Sequence, residues 1–423
     1  MMPLDEHLLR HESARLLAAL VRLFGVENLA LAEDVVQDTL ANAIEAWAFS
    51  GVPEHYAARL MTEAKHRAID VLRRQRTAHR FAPELGRWLE SEWTLRPVID
   101  DLFLPAALAD DELRMMFSCC HPKLDEDVQV ALVLKLLCGF SVGEIAGAFL
   151  VSVAAIEKRL ARGKKTLAES SRLFELTVAD FDARLATVQR ALYLLFNEGY
   201  HGACADRVVR ADLCHEAMRL VRLLVDHVPA ATPATHALAA LMYLDAARLA
   251  GRIDLAGNLL SLVEQDRSRW DAALVGEGLR LLEVSTTGTE LTEYHLEAGI
   301  AATHAAAERA EETRWGEIVA LYDALLKLRP SPVVALNRAI AVAQHAGVDQ
   351  GLAALRAIDD PSKLAGYPFY WASLGELELR AGAQDAARQH FAKARELARN
   401  DGERQFIDLR IGACGAIHVR SRR

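Results

Sequence analysis

Apolar residues recur at three- and four-residue steps along almost the whole chain, while alternating or β-branched runs are few. This pattern predicts a nearly all-α protein. In LALAEDVVQDTLANAIEAW, Leu31, Val35, Val36, Leu40, Ala43, Ile44 and Trp47 form an apolar stripe. Glu33, Asp34, Gln37, Asp38 and Glu45 occupy the other face. In HYAARLMTEAKHRAIDVLRRQRTAHR, Leu60, Ala64, Ala68 and Leu72 keep one side apolar. In EIAGAFLVSVAAIEKRLARGKKTL two short helices are read, with Ile145, Ala146 and Phe149 inward in the first. Leu150 and Val151 turn the chain, Ser152 is a good N-cap, and Val153, Ile156, Leu160 and Leu167 are the expected buried stripe of the second.

Composition narrows this little. Hydrophobic residues make up 52% and charged residues 25% of the 423 positions, ordinary for a folded chain of two to four domains. The longest apolar run, Ala131–Phe140, is interrupted by Lys135 and too short to span a bilayer. The N-terminus carries acidic residues where a signal peptide would be basic. Six cysteines in a chain this long do not make a disulfide framework. A reduced, cytoplasmic protein is expected. Cys119, Cys120 and His121 are adjacent, but zinc ligands are usually spaced as CxxC pairs, so buried packing is the favoured reading. No cofactor or metal is expected.

Charge changes the picture more. The chain has a formal net charge of −9, yet the His55–Arg80 stretch sets seven cations, Arg59, Lys65, Arg67, Arg73, Arg74, Arg76 and Arg80, against Glu63 and Asp70. A second concentration, Lys158, Arg159, Arg162, Lys164 and Lys165, follows Ser152. Cations clustered on one helix make a phosphate footprint even in an acidic protein, because screening confines the contacts to about 8–10 Å. Ala146 and Ile156 stand ten residues apart, the spacing at which the helices of a helix-turn-helix meet. The bland alternative is an amphipathic helix with a solvated basic face. A non-glycine residue at Leu150, in the turn, costs roughly 1–2 kcal/mol if the backbone is left-handed; a reshaped turn is expected.

The ordered set AEDVVQDTLANAIEAW, AKHRAIDVLRRQR and GFSVGEIAGAFLVSVAAIEKRLARGKKTL resembles the extracytoplasmic-function (ECF) sigma factors of bacterial RNA polymerase. DDELRMMFSCCHPKL resembles the subgroup with a long C-terminal helical extension. The resemblance implies a sigma region 2 helical domain at 1–80, an acidic linker at 81–108, a region 4 helix-turn-helix domain at 109–170, and a C-terminal α-solenoid of tetratricopeptide-like repeats at 171–423. It assigns Asp34, Gln37, Asp38 and Glu45 to docking on the clamp helices of the largest core RNA polymerase subunit. Lys65, His66, Arg67, Arg73, Arg74 and Arg76 would meet the minus-ten element of promoter DNA. Ser152, Ala154, Ala155, Lys158, Arg159, Arg162 and Lys165 would meet the minus-thirty-five element. The linker would thread the polymerase's nucleic-acid channel. Arg59 stands where the family commonly has Trp, and His66 where it commonly has Asn, so melting contacts should differ from the usual ones.

The C-terminal half repeats. WASLGELELRAGAQDAARQHFAKA matches the tetratricopeptide pattern, with Trp371, Leu374 and Gly375 in one helix and Ala387, Phe391 and Ala394 in the next. Steps of 36 and then 33 residues reach Ala335, Ala339, Gly351 and Leu355, then Ala302, Ala306, Ile318 and Tyr322. Three units are about the minimum for a solenoid to bury its own faces. NEGYHG, EQDRSRWD and SPVVALNRAIA are polar islands. They read either as a groove using Arg267, Arg269 and Asn337, or as caps and ion pairs, which is the favoured reading. No nucleophile–base pair, phosphate loop or metal spacing supports an enzyme. The expected function is a non-catalytic sigma subunit, with a regulatory protein or ligand on the repeats. The alternative is a stand-alone helix-turn-helix regulator with a solenoid sensor.

Overall fold

The computed structural model describes residues 6–75, 101, 103–149, 151–169, 178–201, 210–254 and 259–420. Among these the chain is all-α, with one isolated bridge, Ile253 to Leu259, and no strand. No helix among them is long and apolar enough to cross a membrane. Arg76, Leu150 and the acidic stretch from Glu84 through Asp100 lie outside the described residues, as do the side chains of Arg73 and Arg74. The chain divides into two compact units, 1–195 with 226–230, and 196–225 with 231–423.

The first unit begins with α1 (Glu6–Phe24), α2 (Leu29–Ser50) and α3 (Tyr56–Gln75). Gly25, at φ 86°, adopts a backbone that favours glycine and lets the chain turn out of α1. Leu60, Ala64, Ala68 and Leu72 are all buried, as the helical period requires. In α2 the core face is Leu29, Ala32, Val35, Val36, Thr39, Ala43 and Trp47. Ile44, read as part of that stripe, is instead 43% exposed. It lies one residue past Ala43, so at 100° per residue it rotates off the face that Trp47 and Ala43 define.

Next come α4 (Pro105–Cys119), α5 (Glu126–Leu136), α6 (Val142–Ala148) and α7 (Val153–Glu169). α4 opens with proline in its first turn, where a missing N–H costs nothing; it starts within the stretch read as linker to 108. Cys119 and Cys120 are buried, and burial pushes both thiols up, Cys120 to about 12. His121 Nδ1 accepts the backbone N–H of Lys123. This is the packing reading of the Cys-Cys-His run. The unit continues along α8 (Val178–His201) as far as Leu195. There Phe181 meets Phe117 at 4.6 Å between ring centres.

α4 and α1 are tied by Arg22, which donates to Asp111 at 2.6 Å. The Asp111 side chain is wholly buried and its second oxygen has no hydrogen-bond partner among the described residues. Desolvation raises its pKa to about 6 against the opposing pull of Arg22. A carboxyl whose folded pKa is raised stabilises the fold below its unfolded value, and this contribution disappears as pH climbs through about 6. Two pKa units correspond to roughly 2–3 kcal/mol. Asp111→Asn is therefore expected to gain stability over wild type between about pH 4 and pH 7 and hold the gain at pH 8. Paired thermal melts across that range check it; a difference that does not change with pH would contradict it.

The second unit runs from the end of α8 through α9 (Ala211–Asp226), α10 (Pro233–Ala246), α11 (Ala272–Ser285), α12 (Glu293–Ala305), α13 (Trp315–Leu328), α14 (Pro332–Ala346), α15 (Val348–Arg356), α16 (Pro368–Arg380), α17 (Gln384–Leu397) and α18 (Asp401–Arg420). From α12 onward each helix packs on its successor. Small residues set the closest approaches. A Cβ on Gly375 would stand 2.9 Å from the Phe391 ring, so α16 and α17 meet there only because position 375 has no side chain.

Of the polar islands, EQDRSRWD supplies caps and NEGYHG supplies helix-end carbonyls that are capped from elsewhere. Arg267 donates to the carbonyls of His304 at 2.8 Å and Ala307 at 2.7 Å, and to Thr313 Oγ1 at 2.8 Å, closing the C-terminus of α12. Arg252 donates to the Tyr200 carbonyl and lies 4.0 Å from its ring centre. Arg399 donates to the His201 carbonyl at 3.3 Å. Two arginines thus face the last carbonyls of α8, where the helix dipole is negative. Arg269 donates to the Ile253 carbonyl, and Asn337 is exposed on α14. Arg267, Arg269 and Asn337 have separate surroundings and do not build one groove.

Candidate nucleic-acid interface

The helix-turn-helix is assembled by local chemistry. Ser141 accepts the Glu144 N–H and Glu144 accepts the Ser141 N–H, a complete capping box that starts α6. Ser152 Oγ accepts the Ala155 N–H at 3.3 Å at the head of α7. Ala146 and Ile156 are both buried where α6 meets α7. The buried stripe of α7 is Ile156, Leu160, Gly163 and Leu167. Val153, expected in that stripe, is 48% exposed. It belongs to the first turn, which projects past the supporting helices. Gly163 takes the inward place: a Cβ there would come within 2.8 Å of Leu132 on α5.

The outer face of α7 presents Ser152, Ala154, Lys158, Arg162 and Lys165 to solvent, with Ala155 and Arg159 half-buried. Four of the five cations on α7 are engaged. Arg159 pairs with Asp127 at 3.0 Å and lies over the Phe149 ring, with centres 5.9 Å apart. Arg162 pairs with Asp125 at 2.7 Å, and Lys165 is 3.9 Å from Glu169. Lys164 reaches across the unit to Glu33 at 2.6 Å, where only 31% and 15% of the two side chains remain exposed. Glu33 therefore leaves the solvated acidic face on which its sequence position put it.

On α3, His66 is exposed and Lys65 half-buried, its Nζ 5.4 Å from the Phe103 ring centre. Arg67 pairs with Glu63 at 3.3 Å on its own helix and with Asp38 at 3.4 Å on α2. Asp34, Gln37, Asp38 and Glu45 all stand exposed along α2. The basic helix and the acidic row are thus neighbours, joined through Arg67. Sequence reasoning missed Phe49, 95% exposed at the end of the same helix; its signal was an aromatic one position before a serine–glycine break.

The two basic helices also belong to one compact unit. Val21, Val26 and Leu29, from the region before and within α2, line one small apolar cleft with Met115, Cys119, Leu136 and Leu167. The ion pair between Lys164 and Glu33 is the polar counterpart of this packing.

A model of sigma-70 region 4 matches residues 114–167, covering the C-terminal end of α4, all of α5 and α6, and α7 almost to its end. A family of unknown function, DUF6596, matches residues 184–286. The chain is 38% identical over 398 residues to an uncharacterized protein of Rhizobium meliloti, covering 93% of this chain and 92% of that one. It is 30% identical over 178 residues to the RNA polymerase sigma factor CarQ of Myxococcus xanthus, covering 41% of this chain and 92% of CarQ. A helix-turn-helix matched as sigma region 4, and a match along nearly the full length of a sigma factor, lead to one conclusion: the chain belongs to the RNA polymerase sigma factors.

Proposed function

We propose that the protein is an ECF-type sigma factor that binds core RNA polymerase, directs promoter recognition and carries a regulatory helical-repeat domain fused to its C-terminus. The observation that carries this reading is the exposed row Asp34, Gln37, Asp38 and Glu45 beside the cations of α3. A simple repressor needs only its duplex-reading helix. An acidic face adjoining a basic one fits two partners, a basic protein surface and DNA.

In this reading residues 1–80 form region 2, 81–108 the acidic linker and 109–170 region 4. The acidic row docks on the clamp helices of the largest polymerase subunit. Lys65, His66 and Arg67, with Arg73, Arg74 and Arg76, meet the minus-ten element. Ser152, Ala154, Ala155, Lys158, Arg159, Arg162 and Lys165 meet the minus-thirty-five element, with the half-buried Arg159 buttressing the turn. Residues 171–423 regulate the sigma part, through tetratricopeptide-like units built on the α12–α17 helices, with a protein or small ligand as effector. The protein acts in the cytoplasm and performs no chemistry of its own. The test is a paired titration of the purified chain against core polymerase and against promoter duplex.

A further inference from the structure

Seven charged residues lie on α7, and five are accounted for by ion pairs: Arg159 with Asp127, Arg162 with Asp125, Lys164 with Glu33, and Lys165 with Glu169 on the same helix. Glu157 and Lys158 have no ion pair or side-chain hydrogen bond among the described residues, and both are exposed. Glu157 has no cation one turn away. Positions 153, 154, 160 and 161 are Val, Ala, Leu and Ala, of which Val153, Ala154 and Ala161 are exposed. Glu157 is therefore a carboxylate with no cation partner among the described residues on an otherwise basic exposed face, flanked by the short exposed side chains of Val153, Ala154 and Ala161, which would let the helix approach a groove floor closely.

Between two phosphate rows an anion is repelled everywhere except where base edges donate hydrogen bonds. Carboxylates only accept. In the major groove the donors are the amino groups of cytosine and adenine, and Glu characteristically takes the cytosine N4 group, whereas adenine also presents its N7 acceptor to a second carboxylate oxygen. Guanine O6 and thymine O4 would face the carboxylate lone pair to lone pair. We infer that Glu157 is a specificity-determining residue that selects cytosine at one position of the duplex element read by α7. The selection is both attractive and repulsive: cytosine satisfies the carboxylate, and guanine or thymine leaves it desolvated and opposed. This inference rests on the reading of α7 as the major-groove helix.

Selection of binding sites from a randomised duplex library, using the full chain with core polymerase, tests it. Wild type is expected to recover a fixed cytosine at one position of the upstream element. Glu157→Ala should lose roughly tenfold discrimination there and nowhere else, and Glu157→Gln should shift that position toward adenine, which Gln reads bidentately. The substituted position is exposed, and circular dichroism checks that the helices are retained in both variants. If Glu157→Ala recovers the same sequence as wild type, and only binds all duplexes more tightly, Glu157 is a solvated charge and the inference is overturned. If wild type recovers no upstream sequence at all, the reading of α7 fails first and takes the inference with it.

Discussion

Asp34→Lys combined with Asp38→Lys is expected to abolish binding to core polymerase while leaving the fold intact. Both side chains are exposed, so neither substitution disturbs the core. Among the described residues the ion pair lost is that with Arg67, 3.4 Å from an Asp38 side chain that is 73% exposed, and exposed pairs of this kind are worth about 0–1 kcal/mol. At an interface the same reversal sets lysines against the basic surface that the acidic row is proposed to meet. Like-charge juxtaposition there costs several kcal/mol, enough for a loss of at least about a hundredfold in affinity. Titration against core polymerase, with a thermal melt as the control for folding, reads the two effects separately. Binding unchanged by the double reversal would remove the docking assignment.

The second large effect is mechanical. The minus-ten and minus-thirty-five elements lie about 25 base pairs apart, on the order of 80 Å of duplex. In the free protein Lys164 of α7 touches Glu33 of α2, and Leu167 shares an apolar cleft with Val26 and Leu29. If α3 and α7 serve these two elements as proposed, the first unit as folded does not place both helices at once, and engagement would have to separate them. Labels at the exposed Ala30 and Ala168, each about one turn from that ion pair, are expected to lie near one another in the free chain and to move apart by tens of ångströms when core polymerase and promoter are added. Polymerase contacts would supply the free energy that offsets the lost packing. Labels that stay close in a transcribing complex would show that the two helices act as one surface.

Much of this was legible in the residues. The stripe Leu60, Ala64, Ala68 and Leu72 follows from period alone, and all four are buried. The pair Ala146 and Ile156 sits where helix-turn-helix spacing puts it, because the two helices start at the local caps Ser141 and Ser152. Misplacements came where a tertiary neighbour, or its absence, overrides period. Val153 is apolar and in phase, but among the described residues nothing covers the first turn of α7, so it faces solvent. Ile44 fails for a different reason: one residue past Ala43, it is rotated off the core face of α2.

The contacts between distant segments had no local signature. Glu33 and Lys164 are 131 residues apart, and each by itself reads as a solvated charge. Their pairing depends on how α2 and α7 pack within the unit, which no periodicity encodes. The arginines of EQDRSRWD show the converse. Caps and ion pairs are the favoured reading of that island over a groove, and Arg267 donates to the last carbonyls of α12, but which carbonyls it meets is fixed by where that helix happens to end.

The central claim is that another machine, rather than this chain alone, sets the two basic helices on DNA. Titrating the purified protein against core polymerase and against promoter duplex under the same salt conditions addresses it directly. Tight association with the core, weak binding to duplex alone, and promoter-selective binding only when both are present are the predicted results. Tight, sequence-selective binding to duplex by the chain alone, with no association with core polymerase, would contradict the account.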